Sequence, residues 1–158
     1  MADLRRPVIP YGSWPSRLTA ERILAGALRL GQPQLDRDSV YWLEGRPAEG
    51  GRQAIVRAGR GCAGEDVTAP EVNVRTLVHE YGGGDYRVRD SRLAYSDFAD
   101  QRVRVIEAGA ADRIVTAPGP RYADFEWSPD GRFLVAVEEN ASRAGSGEIG
   151  RASCRERV

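Results

Sequence analysis

Asn73-Val-Arg-Thr-Leu-Val-His-Glu-Tyr-Gly-Gly-Gly-Asp-Tyr-Arg-Val88 contains the only histidine of the chain and its only glycine triplet. Val74, Thr76 and Val78 alternate with Arg75, Leu77 and His79, and the first set is β-branched, which predicts a strand. Gly82-Gly83-Gly84 ends that strand, and a second begins at Asp85. Three consecutive glycines allow positive φ or close backbone approach. Two readings follow for the triplet: a structural corner between two sheet units, or a ligand loop.

Outward from this stretch, short strands repeat. Gln32–Asp36, Ser39–Glu44, Gln53–Arg57 and Asp66–Thr68 form a first set of four, and Asp85–Arg89, Arg92–Ser96, Arg102–Glu107 and Arg113–Thr116 a second. Tyr122–Trp127 and Arg132–Glu138 begin a third. Turns fall at Arg37-Asp38, Asp90-Ser91 and Ser128-Pro-Asp-Gly131. Val-Thr-Ala-Pro occurs at 67–70 and again at 115–118, 48 residues later, each copy closing a set. Four strands per unit, with a period of roughly 40 to 50 residues, is the pattern of a β-propeller. The expected fold is therefore all-β, a partial propeller of about two and a half four-stranded blades. Closing a ring takes at least about four blades, so the chain reads as cut short. Its open blade edges are candidates for self-association.

Residues 1–31 read as a lead-in with a short helix. Thr19 can cap it and Glu21 complements its first turn. Ile23, Leu24, Ala27 and Leu28 give an apolar stripe, and Gly31 is the expected stop. Residues 32–139 are the blades. Residues 140–158 carry neither strand alternation nor a helical stripe, and read as a disordered, non-native tail.

Composition narrows the function. Of 158 residues, 41% are hydrophobic and 29% charged, as in a globular domain. Twenty-three basic residues balance 23 acidic ones, and no basic stripe points to nucleic acid. All 23 are arginine. No apolar run of 18 residues predicts a membrane span, and the first residues lack a signal peptide's apolar region. Cys62 and Cys154 stand far apart, consistent with a reducing cytoplasm rather than a disulfide framework.

Motifs for chemistry are weak. Gly59-Arg-Gly-Cys-Ala-Gly64 fits G-x-G-x-x-G, but a strand and a break follow where dinucleotide binding needs a helix. His79-Glu80 could open a zinc helix, yet the chain has no second histidine. No serine has glycine at both −2 and +2, so no nucleophile elbow is present. Neither cofactor nor metal is expected. Glu138-Glu139 is the only Glu-Glu pair in the strand region and reads as a solvated strand end.

Asn73-Val-Arg-Thr76 with His79-Glu-Tyr-Gly-Gly-Gly84 resembles the N-terminal β-propeller of bacterial serine peptidases of the prolyl oligopeptidase family, nearest to the dipeptidyl aminopeptidase/acylaminoacyl-peptidase-like branch. Tyr11-Gly-Ser-Trp-Pro-Ser16, Val40-Tyr-Trp-Leu-Glu-Gly-Arg46 and Asp97-Phe-Ala-Asp-Gln-Arg102 resemble the same family in the same order. The resemblance covers about residues 8 to 140. It implies a cytoplasmic hydrolase of short peptides whose propeller restricts access to a C-terminal α/β-hydrolase domain. That missing domain would carry the serine, acid and histidine and meet the peptide substrate. The present chain would then be non-catalytic. Arg75, His79 and Glu80 lie in the matching stretch and are the substrate-channel candidates. The alternatives are a stand-alone propeller acting as a binding or interaction module, and an esterase on the same two-domain plan.

Overall fold

The structure, a computed structural model, describes residues 10–13, 16–24, 27–107, 110–140 and 156–157. Among the described residues a short α-helix, α1 (Ala20–Leu24), precedes three antiparallel sheets. Blade 1 runs β1 (Arg29–Asp36), β2 (Ser39–Arg46), β3 (Arg52–Gly59) and β4 (Glu65–Asp66), in that spatial order. Blade 2 repeats the plan with β5 (Tyr86–Arg89), β6 (Arg92–Ser96), β7 (Val103–Ile106) and β8 (Arg113–Ile114). The third sheet has β9 (Arg121–Trp127), β10 (Phe133–Glu139) and β11 (Glu156–Arg157).

The internal repeat has a hydrogen-bonded basis. Val67 donates its N–H to the Ile55 carbonyl at 2.8 Å, and Thr68 Oγ1 accepts from the Ile55 N–H at 3.4 Å. Forty-eight residues on, Val115 donates to the Val103 carbonyl and Thr116 Oγ1 accepts from the Val103 N–H, both at 2.9 Å. The two Val-Thr pairs thus close a fourth edge onto a third strand in the same way. Turn chemistry also follows the sequence. Asp90 and Ser91 both have positive φ, at 51° and 62°, the geometry that lets a two-residue hairpin follow strand twist. In Ser128-Pro-Asp-Gly131, Gly131 takes φ 67° and its N–H bonds the Ser128 carbonyl.

Two apolar layers sit between the blades. Tyr41, Leu43 and Ile55 of blade 1 meet Tyr86, Val88, Leu93 and Tyr95 of blade 2. Ala94, Val103 and Val105, on the other face of blade 2, meet Tyr122, Phe125, Trp127 and Leu134 of the third sheet. The period-2 alternation of each strand splits its residues between these layers. Sheets stacked face to face in sequence order, with β5 between β1 and β9, form a partial β-propeller. The far face of blade 1 leaves Leu35 81% exposed.

Three expectations change. Asn73–His79 is not a strand: only Val74 bridges, to Asp97, and Val78–Glu80 form a 3-10 turn. The Val74 and Arg75 N–H groups still reach backbone carbonyls, of Gln53 and Ser96, but beyond them the donors go to side chains, Thr76 to Asp85 Oδ1 and Leu77 to Gln101 Oε1. The helix is only five residues long. Its cap is as expected, with the Arg22 N–H on Thr19 Oγ1 at 3.2 Å. Gly31 lies inside β1, opposite Leu43, so the boundary expected at residue 31 falls within a strand. The expected apolar stripe is not buried, since Ile23 and Leu28 are exposed. Of the tail, only Glu156–Arg157 is described, as a strand opposite Phe133 and Leu134; the rest of the tail expectation lies outside the described residues.

Candidate functional site

The glycine triplet is the hub at which the three sheets meet. Gly82 takes φ 85°, a conformation that side chains disfavour. Gly83 and Gly84 are there for space. A Cβ on Gly83 would sit 2.9 Å from the Ala123 Cβ, and one on Gly84 3.0 Å from Asp124 Oδ1. Asp124 lies in a bulge of β9 with φ 55°. Its carboxylate accepts the Gly84 N–H at 2.6 Å, and its own N–H donates to the Gly84 carbonyl. From the other side, Gln32 lies in a bulge of β1 with φ 49°. Its amide donates to the Gly83 carbonyl and to Asp85 Oδ2, and accepts the Asp85 N–H. Two bulged residues of neighbouring sheets therefore clamp residues 83–85.

Asp85 is 6% exposed. Its oxygens are held by the Thr76 N–H at 2.7 Å and Gln32 Nε2 at 2.6 Å. Burial pushes its carboxyl above the usual range; these hydrogen bonds and the nearby Arg75 charge oppose that shift, and Asp124 adds to it. Beside it opens a cavity of about 590 Å³ whose wall includes Arg29, Arg46, Arg75, Tyr81 and Asp85. Arg46 is already committed, in hydrogen bonds to Glu44 and Asp66. Those bonds hold the Arg46 guanidinium more strongly protonated and the Asp66 carboxyl below its usual range.

The three candidate residues fall into two places. Arg75 lines the cavity, with its guanidinium 5.5 Å over the Phe98 ring. His79 and Glu80 sit apart in an ion cluster on the exposed turn, both at positive φ. The His79 N–H bonds Glu139 Oε2 at 3.2 Å, and its ring Nδ1 faces Glu139 Oε1 at 3.7 Å. Glu80 takes Arg121 Nη1 at 2.5 Å. Arg121 also donates to the Leu77 carbonyl, so the cluster ties the 3-10 turn to the third sheet. Glu139, read as a solvated strand end, is a member of this tie. Among the described residues no three His, Cys, Asp or Glu side chains converge as a metal site, and no helix is long and apolar enough to cross a membrane.

Sequence reasoning missed Gln32, Asp85, Asp124 and the cavity residues Arg29 and Tyr81. One signal was legible. Gln32, Gln34 and Asp36 put three polar side chains on one face of a strand, where a core-facing strand is normally apolar.

This architecture defines the chain as part of a β-propeller, and solved structures carry the assignment further. A Mycobacterium tuberculosis puromycin-hydrolysing peptidase superposes with a TM-score of 0.73 at 34% identity, covering 85% of this chain and 22% of that one. A puromycin hydrolase superposes at 0.69 with 27% identity, over 94% of this chain and 27% of that one. A mutant puromycin hydrolase complexed with PGG gives 0.69 and 29%, over 80% and 21%. No family model matches the chain, and no curated protein matches it. These neighbours are puromycin-hydrolysing peptidases of the prolyl oligopeptidase family, which matches the propeller reading of the sequence, and the chain spans about a fifth to a quarter of their length.

Proposed function

We propose that this chain is part of the access-restricting propeller of a cytoplasmic serine peptidase that cleaves short peptides, and that it is not itself catalytic. The observation that carries this reading is the similarity to puromycin-hydrolysing peptidases at 27–34% identity. The chemistry agrees with it. Acyl transfer needs an activated nucleophile, a base within reach and an oxyanion hole. The sequence offers one histidine and no elbow serine, and that histidine faces Glu139. On this reading the serine, acid and base are supplied from elsewhere in the parent protein. The chain is tested with a fluorophosphonate probe and with aminoacyl-nitroanilides of varied length. The expected result is no labelling and no saturable hydrolysis. Stoichiometric labelling of a serine, lost in His79→Ala, would place the chemistry in this chain and overturn the reading.

A further inference from the structure

The cavity beside Asp85 shares part of its wall with the clamp, but it also carries Arg29 and Arg75, which the clamp does not use. We propose that it is a carboxylate site, and that its ligand is the free C-terminal end of a short peptide. Naming a peptide rests on the peptidase reading above; the preference for an anion rests on the cavity wall alone.

Its size, about 590 Å³, lies within the roughly 300–1,000 Å³ common for small-molecule sites. Its charge is one-sided. Arg29, Arg46 and Arg75 line it against a single acid, Asp85. Arg46 is neutralised by Glu44 and Asp66. Among the described residues no carboxylate lies within ion-pair distance of Arg29 or Arg75. Asp85 is a poor counter-ion for them, because both its oxygens already accept hydrogen bonds and it is buried. Stacking over Phe98 orients the Arg75 fork without consuming its N–H donors. A planar carboxylate is the group that two uncommitted guanidinium forks recognise best. The Tyr81 side chain, 97% exposed at the cavity wall, adds a hydroxyl donor. An ammonium end would meet the same positive wall and be repelled.

The test is equilibrium dialysis of the whole chain against radiolabelled Ala-Ala-Ala and against its C-terminal amide. The free acid should be retained at least about tenfold better than the amide. Arg29→Gln and Arg75→Gln should each reduce retention of the acid severalfold and leave the amide unchanged. Both positions are exposed, so the variants should keep the parent melting curve; should one unfold, the other is read. Equal retention of acid and amide overturns the carboxylate site. Displacement of the peptide by acetate or inorganic phosphate at equal concentration overturns the peptide as ligand. Neither outcome touches the peptidase reading, which depends on the labelling of serine.

Discussion

The two blade junctions solve one problem with different chemistry. Between blades 1 and 2 the seam is a ladder of side chains from a single strand face. Gln32 reaches Asp85, Gln34 takes the Tyr86 carbonyl and the Val88 N–H, and Asp36 accepts the Asp90 and Ser91 N–H groups. Gln34 substitutes for the backbone partner that the free edge of β5 lacks, and Gln32 and Asp36 do the same for the residues just before and just after that strand. Between blade 2 and the third sheet the seam is cationic. Arg87 pairs with Glu126 at 2.9 Å, Arg89 reaches the Pro129 carbonyl, and Arg92 lies 4.4 Å over the Trp127 ring while bonding the Gly131 carbonyl. The first seam fixes register through short, part-buried hydrogen bonds. The second relies on long, half-buried arginines, one of them over a large aromatic, and on an apolar layer beneath them, and its strength should lie in the apolar layer and not in the charges.

Trp127→Ala should therefore have the largest effect of any single change. Trp127 is 2% exposed, packed within the second apolar layer and covered by Arg92. Removing a large buried aromatic costs about 3–5 kcal/mol. In urea denaturation the variant should melt far earlier or fail to fold. By contrast, Glu126→Ala should cost under about 1 kcal/mol, because Glu126 is exposed and Arg87 only half-buried. A large loss from Glu126→Ala with a small one from Trp127→Ala would reverse the account of this seam.

Gly83→Ala tests the hub common to both seams. Its Cβ would meet the Ala123 Cβ at 2.9 Å and the Asp124 carboxylate at 3.2 Å. Relief requires β9 to move away from blade 2, and overpacking of this kind costs about 1–3 kcal/mol. Gly50→Ala is the control: nothing lies within 4 Å of its Cβ, so its loss reflects only the strain of φ 67°. Gly83→Ala without loss of stability would show that the triplet is not spaced by packing.

Next in size is Gln34→Ala. It frees the Val88 N–H and the Tyr86 carbonyl from bonds of 3.0 and 2.9 Å. Each net hydrogen bond is worth about 1 kcal/mol, so a loss of about 1–2 kcal/mol is expected in denaturant titration. Amide exchange at Val88 should quicken while that at Val105, in the other seam, stays slow. Matching acceleration at both sites would mean that the ladder is not local to its junction.

These seams also explain what could and could not be read from the chain. The blades were legible because alternation, the Asp90-Ser91 and Ser128-Pro-Asp-Gly turns, and the repeated Val-Thr-Ala-Pro are all local signals. Residues 73–79 misled because their alternation is genuine. Val74, Thr76 and Val78 are indeed buried, but their neighbours Asp85 and Gln101 take the N–H groups that a sheet would have used. The helix misled because pairing of Leu30 and Gly31 with Glu44 and Leu43 outweighs the helical stripe before it. Of the three site candidates, only Arg75 reaches the cavity. Its companion Arg29 comes from a strand 46 residues earlier, a distance across which no sequence spacing points.

The smallest expected effect is a change in slope with pH, and it separates Asp85 from the rim acids. Burial raises the Asp85 carboxyl, whereas hydrogen bonds from Arg46 and Arg104 lower Asp66 and Asp100. A raised carboxyl means that the folded state binds more protons than the unfolded one between the ordinary value, about 3.9, and the raised value. Stability contributed by that group falls as pH rises through this window. For the lowered acids the contribution is present above the ordinary value and is lost as pH falls through their folded values. Asp85→Asn removes the titration while keeping an oxygen for the Thr76 N–H. The wild-type chain should gain stability relative to Asp85→Asn as pH falls from neutral toward the ordinary carboxyl value, and urea midpoints of the two at several pH values measure this. A difference that stays constant, or that moves the other way, would mean that the Asp85 carboxylate is as well solvated at the glycine corner as an ordinary surface acid.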